Sequence, residues 1–281
     1  MTSTQSYLER VERLRGAVNE AEYVIIGAGS GLSTAAGLDY GGEDFRREFE
    51  PWIKKYNMTD LYTSSFYPFE SEEEKWAYWA KHIWFCRYRT GATELYKRLC
   101  AMFGDAFVVT TNVDGQFELA GFDTEKIFAT QGDYRWFQSA SGSPKTLMDN
   151  REWVERVLPK IEDCRIPTEE IPRMPDGQAA AMNLRVDERF VEDFVWHRQA
   201  RRYTDFVSEA AKGRLLLLEF GIGYNTPGII RLPFEQMAQK FERTTLVRFN
   251  RDNPEPYIED MHDFVAFRED IGEVLSNLEQ Q

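Results

Sequence analysis

An asparagine and an aspartate two residues apart, in Thr111-Asn112-Val113-Asp114-Gly115, supply a carboxamide that can orient a polar group and a carboxylate that can stabilise developing positive charge. The same stretch also reads as an Asx turn capping a helix that starts near Gln116. Upstream, in Gly27-Ala28-Gly29-Ser30-Gly31, backbone amides and a helix N-terminus can approach a pyrophosphate because side chains are absent. A tight strand-to-helix turn uses the same glycines. A dehydrogenase fingerprint needs its third glycine at position 32, which is Leu32, and a second strand ending in an acid about 20 residues on. Both are missing, so the turn points to a dinucleotide site of another kind. Two more clusters, Gln131-Gly132 and Gly221-Ile222-Gly223-Tyr224-Asn225-Thr226, follow branched apolar runs. Four such clusters at four strand ends are the edge at which open α/β sheets bind ligands.

The elements that must position them are legible as alternating periods. Leu8, Val11, Leu14 and Val18 recur at helical spacing before the apolar run Tyr23 to Ile26. Leu95, Leu99 and Met102 form another helical face that stops at Gly104, ahead of Phe107-Val108-Val109-Thr110. Strands are expected over Lys126 to Thr130, Leu215 to Phe220, Thr245 to Phe249 and Asp263 to Ala266, with a helix around Pro233 to Phe241. Alternating helices and buried branched strands predict an α/β fold, a Rossmann-like parallel sheet domain with a smaller inserted lobe. Residues 1–44, 92–131 and 197–281 are assigned to the sheet domain, and 45–91 with 132–196 to the lobe. The first insertion reads as helical, with Ser71 and Glu74 as a capping box. The second reads as loops around one amphipathic helix near Glu152 to Ile161. The aromatic stripe from Trp76 to Tyr88 is read as core rather than as a docking surface.

A net charge of −13 disfavours nucleic acid as a partner, because binding there is driven by Lys and Arg. No run approaches the ~18 apolar residues of a membrane span, and Met1 to Arg10 lacks the pattern of an export signal, so a cytoplasmic protein is expected. Cys86, Cys100 and Cys164 are dispersed and odd in number, which suits a reducing compartment and forms no zinc pattern. No metal is expected.

On these residues the chain resembles the sirtuin family. Gly27-Ala28-Gly29-Ser30, Gly37-Leu38-Asp39-Tyr40, Thr111 to Asp114, Ala120-Gly121, Gln131-Gly132, Gly221-Ile222-Gly223 and Arg248-Phe249-Asn250 match its ordered motifs across nearly the whole length. The resemblance implies NAD as a co-substrate that supplies ADP-ribose. It implies contacts to NAD from Gly27, Ala28, Gly29, Ser30, Leu38, Asp39, Tyr40, Asn112, Asp114, Gln131, Gly221, Ile222, Gly223, Asn225, Thr226, Asn250 and Arg251, with Phe267 covering the adenine. Two departures matter. The family's deacylases carry a histidine base where Gln131 stands, and only Cys164 remains of four expected zinc cysteines. The lobe must therefore be held by packing.

Gln131, Gly221 to Pro227 and Met182-Asn183-Leu184-Arg185 resemble the macrodomain-linked subgroup of sirtuins. That resemblance implies a protein mono-ADP-ribosyltransferase, with a lipoylated glycine-cleavage H-like carrier protein as acceptor and a macrodomain hydrolase as functional partner. It assigns Asn112 to orienting the ribose or a water beside it, and Asp114 to holding the nicotinamide carboxamide. Gln131 can hydrogen-bond the ribose hydroxyls but cannot take their proton near neutral pH. A carboxylate acceptor, already ionised, needs no base. Arg185 is the candidate to steer that carboxylate or a phosphate, or forms an ordinary ion pair with Asp187 or Glu188. His82, His197 and His262 lie outside the motifs and read as solvated or structural. Two other readings stay open: a protein-lysine deacylase working without histidine, and a silent NAD or ADP-ribose binding module that never releases nicotinamide.

Overall fold

The computed structural model describes residues 6–223, 227–258, 261 and 263–279. Helix α1 (Tyr7–Glu20) begins at a reciprocal capping box, in which Ser6 Oγ accepts from the Glu9 amide and the Glu9 carboxylate accepts from the Ser6 amide. It leads into β1 (Tyr23–Ala28), and the short α2 (Ser30–Ala35) leaves the strand's carboxyl end. Four helices follow in the first insertion: α3 (Glu43–Glu48), α4 (Glu50–Tyr56), α5 (Leu61–Ser64) and α6 (Glu72–Ile83). A π-helical turn at Trp84–Tyr88 ends α6. The chain returns through α7 (Glu94–Phe103), β2 (Phe107–Thr110), α8 (Gln116–Ala120) and β3 (Ile127–Ala129).

The second insertion holds β4 (Gly132–Ser139), β5 (Leu147–Asp149), α9 (Arg151–Val157) and β6 (Ala180–Leu184). The chain closes with α10 (Phe194–Ala210), β7 (Leu215–Phe220), α11 (Arg231–Lys240), β8 (Thr244–Phe249), β9 (Phe264–Phe267) and α12 (Ile271–Glu279).

Six strands form one parallel sheet in the order β3-β2-β1-β7-β8-β9. Successive strands run outward from β1 in both directions, so the order reverses between β1 and β7, and a crevice opens at their carboxyl ends. Both faces are covered. Val11, Leu14, Leu99, Phe103, Val274 and Leu275 pack under one face, and Ala210, Ile230, Phe234 and Ala238 under the other. That double burial explains why β7 reads as an unbroken apolar run apart from Glu219.

The small lobe differs from expectation. Residues read as loops form a three-stranded antiparallel sheet in the order β5-β4-β6. The strands β5 and β6 are short, β4 alternates irregularly, and a register shift between Gly132 and Phe137 breaks the period of two. At the centre Trp76, Phe137 and Trp153 meet edge to face, with ring centroids 5.1 to 5.7 Å apart. The aromatic stripe is thus core, as its spacing predicts. The capping box at α6 is only half formed. Ser71 Oγ accepts from the Glu74 amide, but the Glu74 carboxylate turns to Lys55 and Arg165. Among the described residues there is no helix long and apolar enough to cross a membrane and no cluster of three metal-ligating groups.

His82 lies in this core, fully buried, with Nδ1 2.9 Å from the Tyr78 hydroxyl, and burial pushes its pKa down to about 3. The folded ring is neutral, whereas the unfolded ring titrates near its ordinary value of about 6.5. Unfolding therefore takes up a proton below that pH, and the folded state loses stability as pH falls from about 6.5 towards 3. His82→Phe removes this titration at similar volume. Thermal melts should show a smaller drop in midpoint between about pH 6.5 and 4 for the variant than for the parent; equal drops would exclude His82 as a source of acid lability.

Candidate active site

The crevice between β1 and β7 is built by two glycine turns that touch backbone to backbone. Register places Ala28 beside Phe220, so the turns after them emerge side by side. The Gly29 amide donates to Phe220 O at 3.0 Å and the Gly31 amide to Gly221 O at 3.1 Å. A Cβ on Gly31 would lie 2.7 Å from Gly221 Cα, and one on Gly221, at φ 60°, would lie 2.5 Å from Gly31 C. Gly27 sits inside β1, where a Cβ would strike Ile230 and Phe234. The glycines are thus required by packing between two protein segments. The amides of Gly29 and Gly31, expected to face a pyrophosphate, are engaged by the neighbouring turn.

Asn112 and Asp114 are buried, at 9% and 4% exposure, in one hydrogen-bonded network. Asn112 Nδ2 donates to Gly29 O at 3.0 Å, Tyr96 Oη at 3.1 Å and Ser33 Oγ at 3.2 Å. Ser33 Oγ donates to Asp114 Oδ2 at 2.6 Å, and Asp114 Oδ1 accepts from the Gln116 amide at 3.0 Å. The Asx turn is therefore present and carries a second duty. Burial raises the Asp114 pKa, against the hydrogen bonds from Ser33 and Gln116 and the positive charge of Arg87. Arg87, on the π-helical turn, packs beneath Gly115 and donates to Asp133 at 2.9 Å and Glu118 at 2.7 Å.

Ser33, Tyr96 and Arg87 escaped the sequence reading. Tyr96 belongs with Leu99 and Phe103 on the buried face of α7, one residue away from the face chosen by periodicity. Ser33 is a small polar residue on the inner side of a helix too short to show a period.

Parallel pairing of Thr110 with Ala129 sets Asn112 and Gln131 each two residues beyond neighbouring strand positions, on adjacent strand ends. The Gln131 carbonyl accepts from the Arg185 amide at 3.0 Å. Arg185 itself is placed as a structural cation. Its Nε donates to Thr130 O at 3.2 Å, its guanidinium lies over the rings of Phe190 and Trp196, and it pairs with Glu192 at 2.5 Å. The partner is neither Asp187, which binds Arg189, nor Glu188.

Asp39 is exposed and accepts from the Gly41 amide, while Tyr40 packs against the small-lobe core with Leu38 half-buried nearby in sequence. Burial holds the Tyr40 phenol well above its usual range, and the neighbouring Cys86 and Asp114 add to the rise.

Two cavities flank the network. One, of about 610 Å³, is bounded by Ser30, Gly31, Thr34, Gly221 and Gly223 on one side and by Asn250, Arg251, Asp252 and Arg268 on the other. Its hydroxyls and guanidinium groups suit phosphate oxygens, and its carboxylates suit sugar hydroxyls. Asn250 Nδ2 donates to Ile222 O at 2.8 Å, tying the two rims together. The other cavity, of about 400 Å³, reaches Asn112 and Asp114 along β3 between Trp136 and Trp196.

Phe267 corrects an expectation. It lies within β9 rather than after it, fully buried and stacked on Phe249 with centroids 5.1 Å apart, so its ring faces the core and not a ligand. Tyr224, Asn225 and Thr226 lie outside the described residues, as does His262, and His197 is exposed on α10.

No family model matches the chain. Its architecture is the sirtuin fold: a Sir2 protein solved with a p53 peptide and NAD+ superposes with a TM-score of 0.56, 14% identity and coverage of 95% of this chain and 96% of that one. A protein ADP-ribosyltransferase of Staphylococcus aureus (strain Mu50 / ATCC 700699) is 31% identical over 247 residues, 86% of this chain and 78% of that protein. A probable bifunctional ADP-ribose hydrolase/ADP-ribosyltransferase of Fusarium oxysporum f. sp. cubense is 30% identical over 247 residues, 82% of this chain but 40% of that longer protein. The chain belongs to the sirtuin-type protein ADP-ribosyltransferases.

The interlocked turns make a direct demand. Gly221→Ala introduces both a disfavoured φ and a clash with Gly31 backbone, and is expected to cost about 3 kcal/mol of stability. Denaturant melts measure it, and a cost below about 1 kcal/mol would mean the turns can separate freely.

Proposed function

We propose that the enzyme binds NAD across the crevice, with the pyrophosphate and adenosine half in the larger cavity and the nicotinamide riboside half over Asn112, Asp114 and Gln131. We further propose that it transfers ADP-ribose to a carboxylate of a protein acceptor, a lipoylated H-like carrier. The observation that carries this reading is the buried network of Asn112, Ser33, Tyr96 and Asp114 beside a glutamine strand end. It offers fixed dipoles and a carboxylate where ribosyl charge develops, and no described histidine lines either cavity. Fixed dipoles of this kind need no reorganisation during reaction, and they favour breaking the bond from ribose C1′ to the nicotinamide nitrogen.

The bond changes balance without a base. Nicotinamide leaves with the electron pair of the broken C–N bond, and a carboxylate oxygen supplies the pair for the new C–O bond. The cationic pyridinium and the anionic acceptor become neutral nicotinamide and an ester, so no proton moves. Gln131 suffices for such a transfer because it has only to hold the ribose hydroxyls. An acceptor side chain approaches from the smaller cavity, whose wall runs from Trp136 to Asn112. Residues 45–91 and 132–196 act together as the lobe that presents it.

The longer fungal relative, named for both hydrolase and transferase activities, supports a hydrolase as the functional partner here, which we assign to the macrodomain class. The free cysteines are compatible with a cytoplasmic setting.

Nicotinamide release from NAD by the purified chain, with and without a lipoylated H-like protein, tests the reading. Release and label transfer that depend on the carrier are expected; NAD binding with no release under either condition would leave a binding module. Transfer rate should stay flat between about pH 6 and 8 and fall below about pH 5 as the acceptor carboxylate takes a proton. A fall near pH 6.5 would instead show that a group other than the acceptor carboxylate limits the transfer, Asp114 with its raised pKa among them. Gln131→His should not increase transfer, and if it confers deacylation of acyl-lysine peptides the missing base is all that separates the two activities.

A further inference from the structure

Four charged side chains are buried together beneath the loop that carries Asn250 and Arg251. Arg248 on β8 grips Glu219 on β7 with two bonds of 2.8 Å, and its Nη2 also donates to Glu235 Oε1 on α11 at 2.7 Å. Arg231, one turn earlier on α11, stands 3.8 Å from the same Glu235 oxygen. None of the four side chains is more than 1% exposed. Two cations and two anions leave the cluster neutral.

Such a cluster is a poor device for stability alone, since apolar residues of similar volume commonly do as well or better. Its other bonds show a different use. Arg231 Nη1 donates to Asn253 O at 3.0 Å and its Nη2 to Glu255 O, while Arg248 Nη1 donates to Glu255 O at 3.0 Å. Glu235 Oε2 accepts from the Tyr257 amide at 2.8 Å and the Ile258 amide at 3.0 Å. Four residues of a segment without regular secondary structure are therefore hydrogen-bonded from below by charged groups. A leucine or methionine packed in the same place would leave those carbonyls and amides unpaired. From above, Asn250 Oδ1 accepts from the Asn253 amide at 2.9 Å, and Arg268 donates to Arg251 O at 3.0 Å.

We infer that Arg231, Glu235, Arg248 and Glu219 are positioning residues that hold the 250–258 loop in its NAD-binding shape before substrate arrives. The inference rests on the proposed NAD site above. A loop ordered in advance does not charge its ordering entropy to the binding step, so loosening it weakens NAD binding without touching the groups that act on the ribose.

The test uses the full chain and the double variant Arg231→Met with Glu235→Met. It removes one charge of each sign, keeps the volume, and leaves the Arg248–Glu219 pair in place. The thermal midpoint should fall as Asn253 O and the Tyr257 and Ile258 amides lose their partners, KM for NAD should rise about tenfold, and kcat for nicotinamide release should stay within about twofold. Arg231→Lys, which keeps the charge but replaces the planar fork, should fall between the two in KM. A folded double variant with parental KM overturns the inference. If the double variant does not fold, hydrogen exchange on the parent decides. The Tyr257 and Ile258 amides should be protected without NAD as strongly as those of β8, and exchange at the rate of an open loop overturns the inference. A parent protein that neither binds NAD nor releases nicotinamide removes the NAD reading itself, an outcome distinct from equal KM values.

Discussion

Everything at the reactive end of this sheet depends on two turns touching at their backbones. The contact between Gly31 and Gly221 fixes how far apart the ends of β1 and β7 lie. From that spacing follow the direction of α2, the placement of Ser33 on its inner side, and the reach of Asn112 to Gly29 O. Side chains on either turn would widen the crevice and pull Ser33 away from Asp114. The glycines thus shape the crevice indirectly, through the positions they permit to others.

The small lobe solves a different problem. Its two cysteines, Cys86 and Cys164, are free, no cluster of three metal-ligating groups occurs among the described residues, and a dense aromatic core organises the lobe. Rings that meet edge to face combine large buried area with a geometric preference, which gives a small sheet a defined arrangement. That core also reaches the buried network around Asn112 and Asp114. The π-helical turn that ends its longest helix delivers Arg87 under Gly115, so the loop bearing Asp114 is seated partly on the lobe.

Much of this was legible in the sequence and the remainder was hidden for identifiable reasons. The strands of the large sheet announce themselves because burial on both faces forces continuous branched runs, as in Leu215 to Leu218. Glycine clusters mark their ends, while the contact between the two turns joins segments far apart in the chain and leaves no local signal. The antiparallel sheet of the lobe was missed because β4 alternates irregularly around its register shift, and β5 has only three residues. Phe267 was misplaced by a one-residue error in a strand boundary, enough to turn a ring from solvent to core. The partners of Asn112 were invisible because they come from residues 63 apart, Ser33 and Tyr96, joined only by the fold.

The neutral quartet under the 250–258 loop has an evolutionary corollary. Loss of any one member leaves a net charge sealed in the protein interior, whereas loss of a cation and an anion together leaves none. Sequences can drift away from this arrangement only through coupled replacements, and each single step on the way crosses a poorly folded intermediate. Arg231, Glu235, Arg248 and Glu219 are therefore expected to be inherited or lost as pairs, which makes them a lineage marker more durable than the exposed residues that touch the substrate.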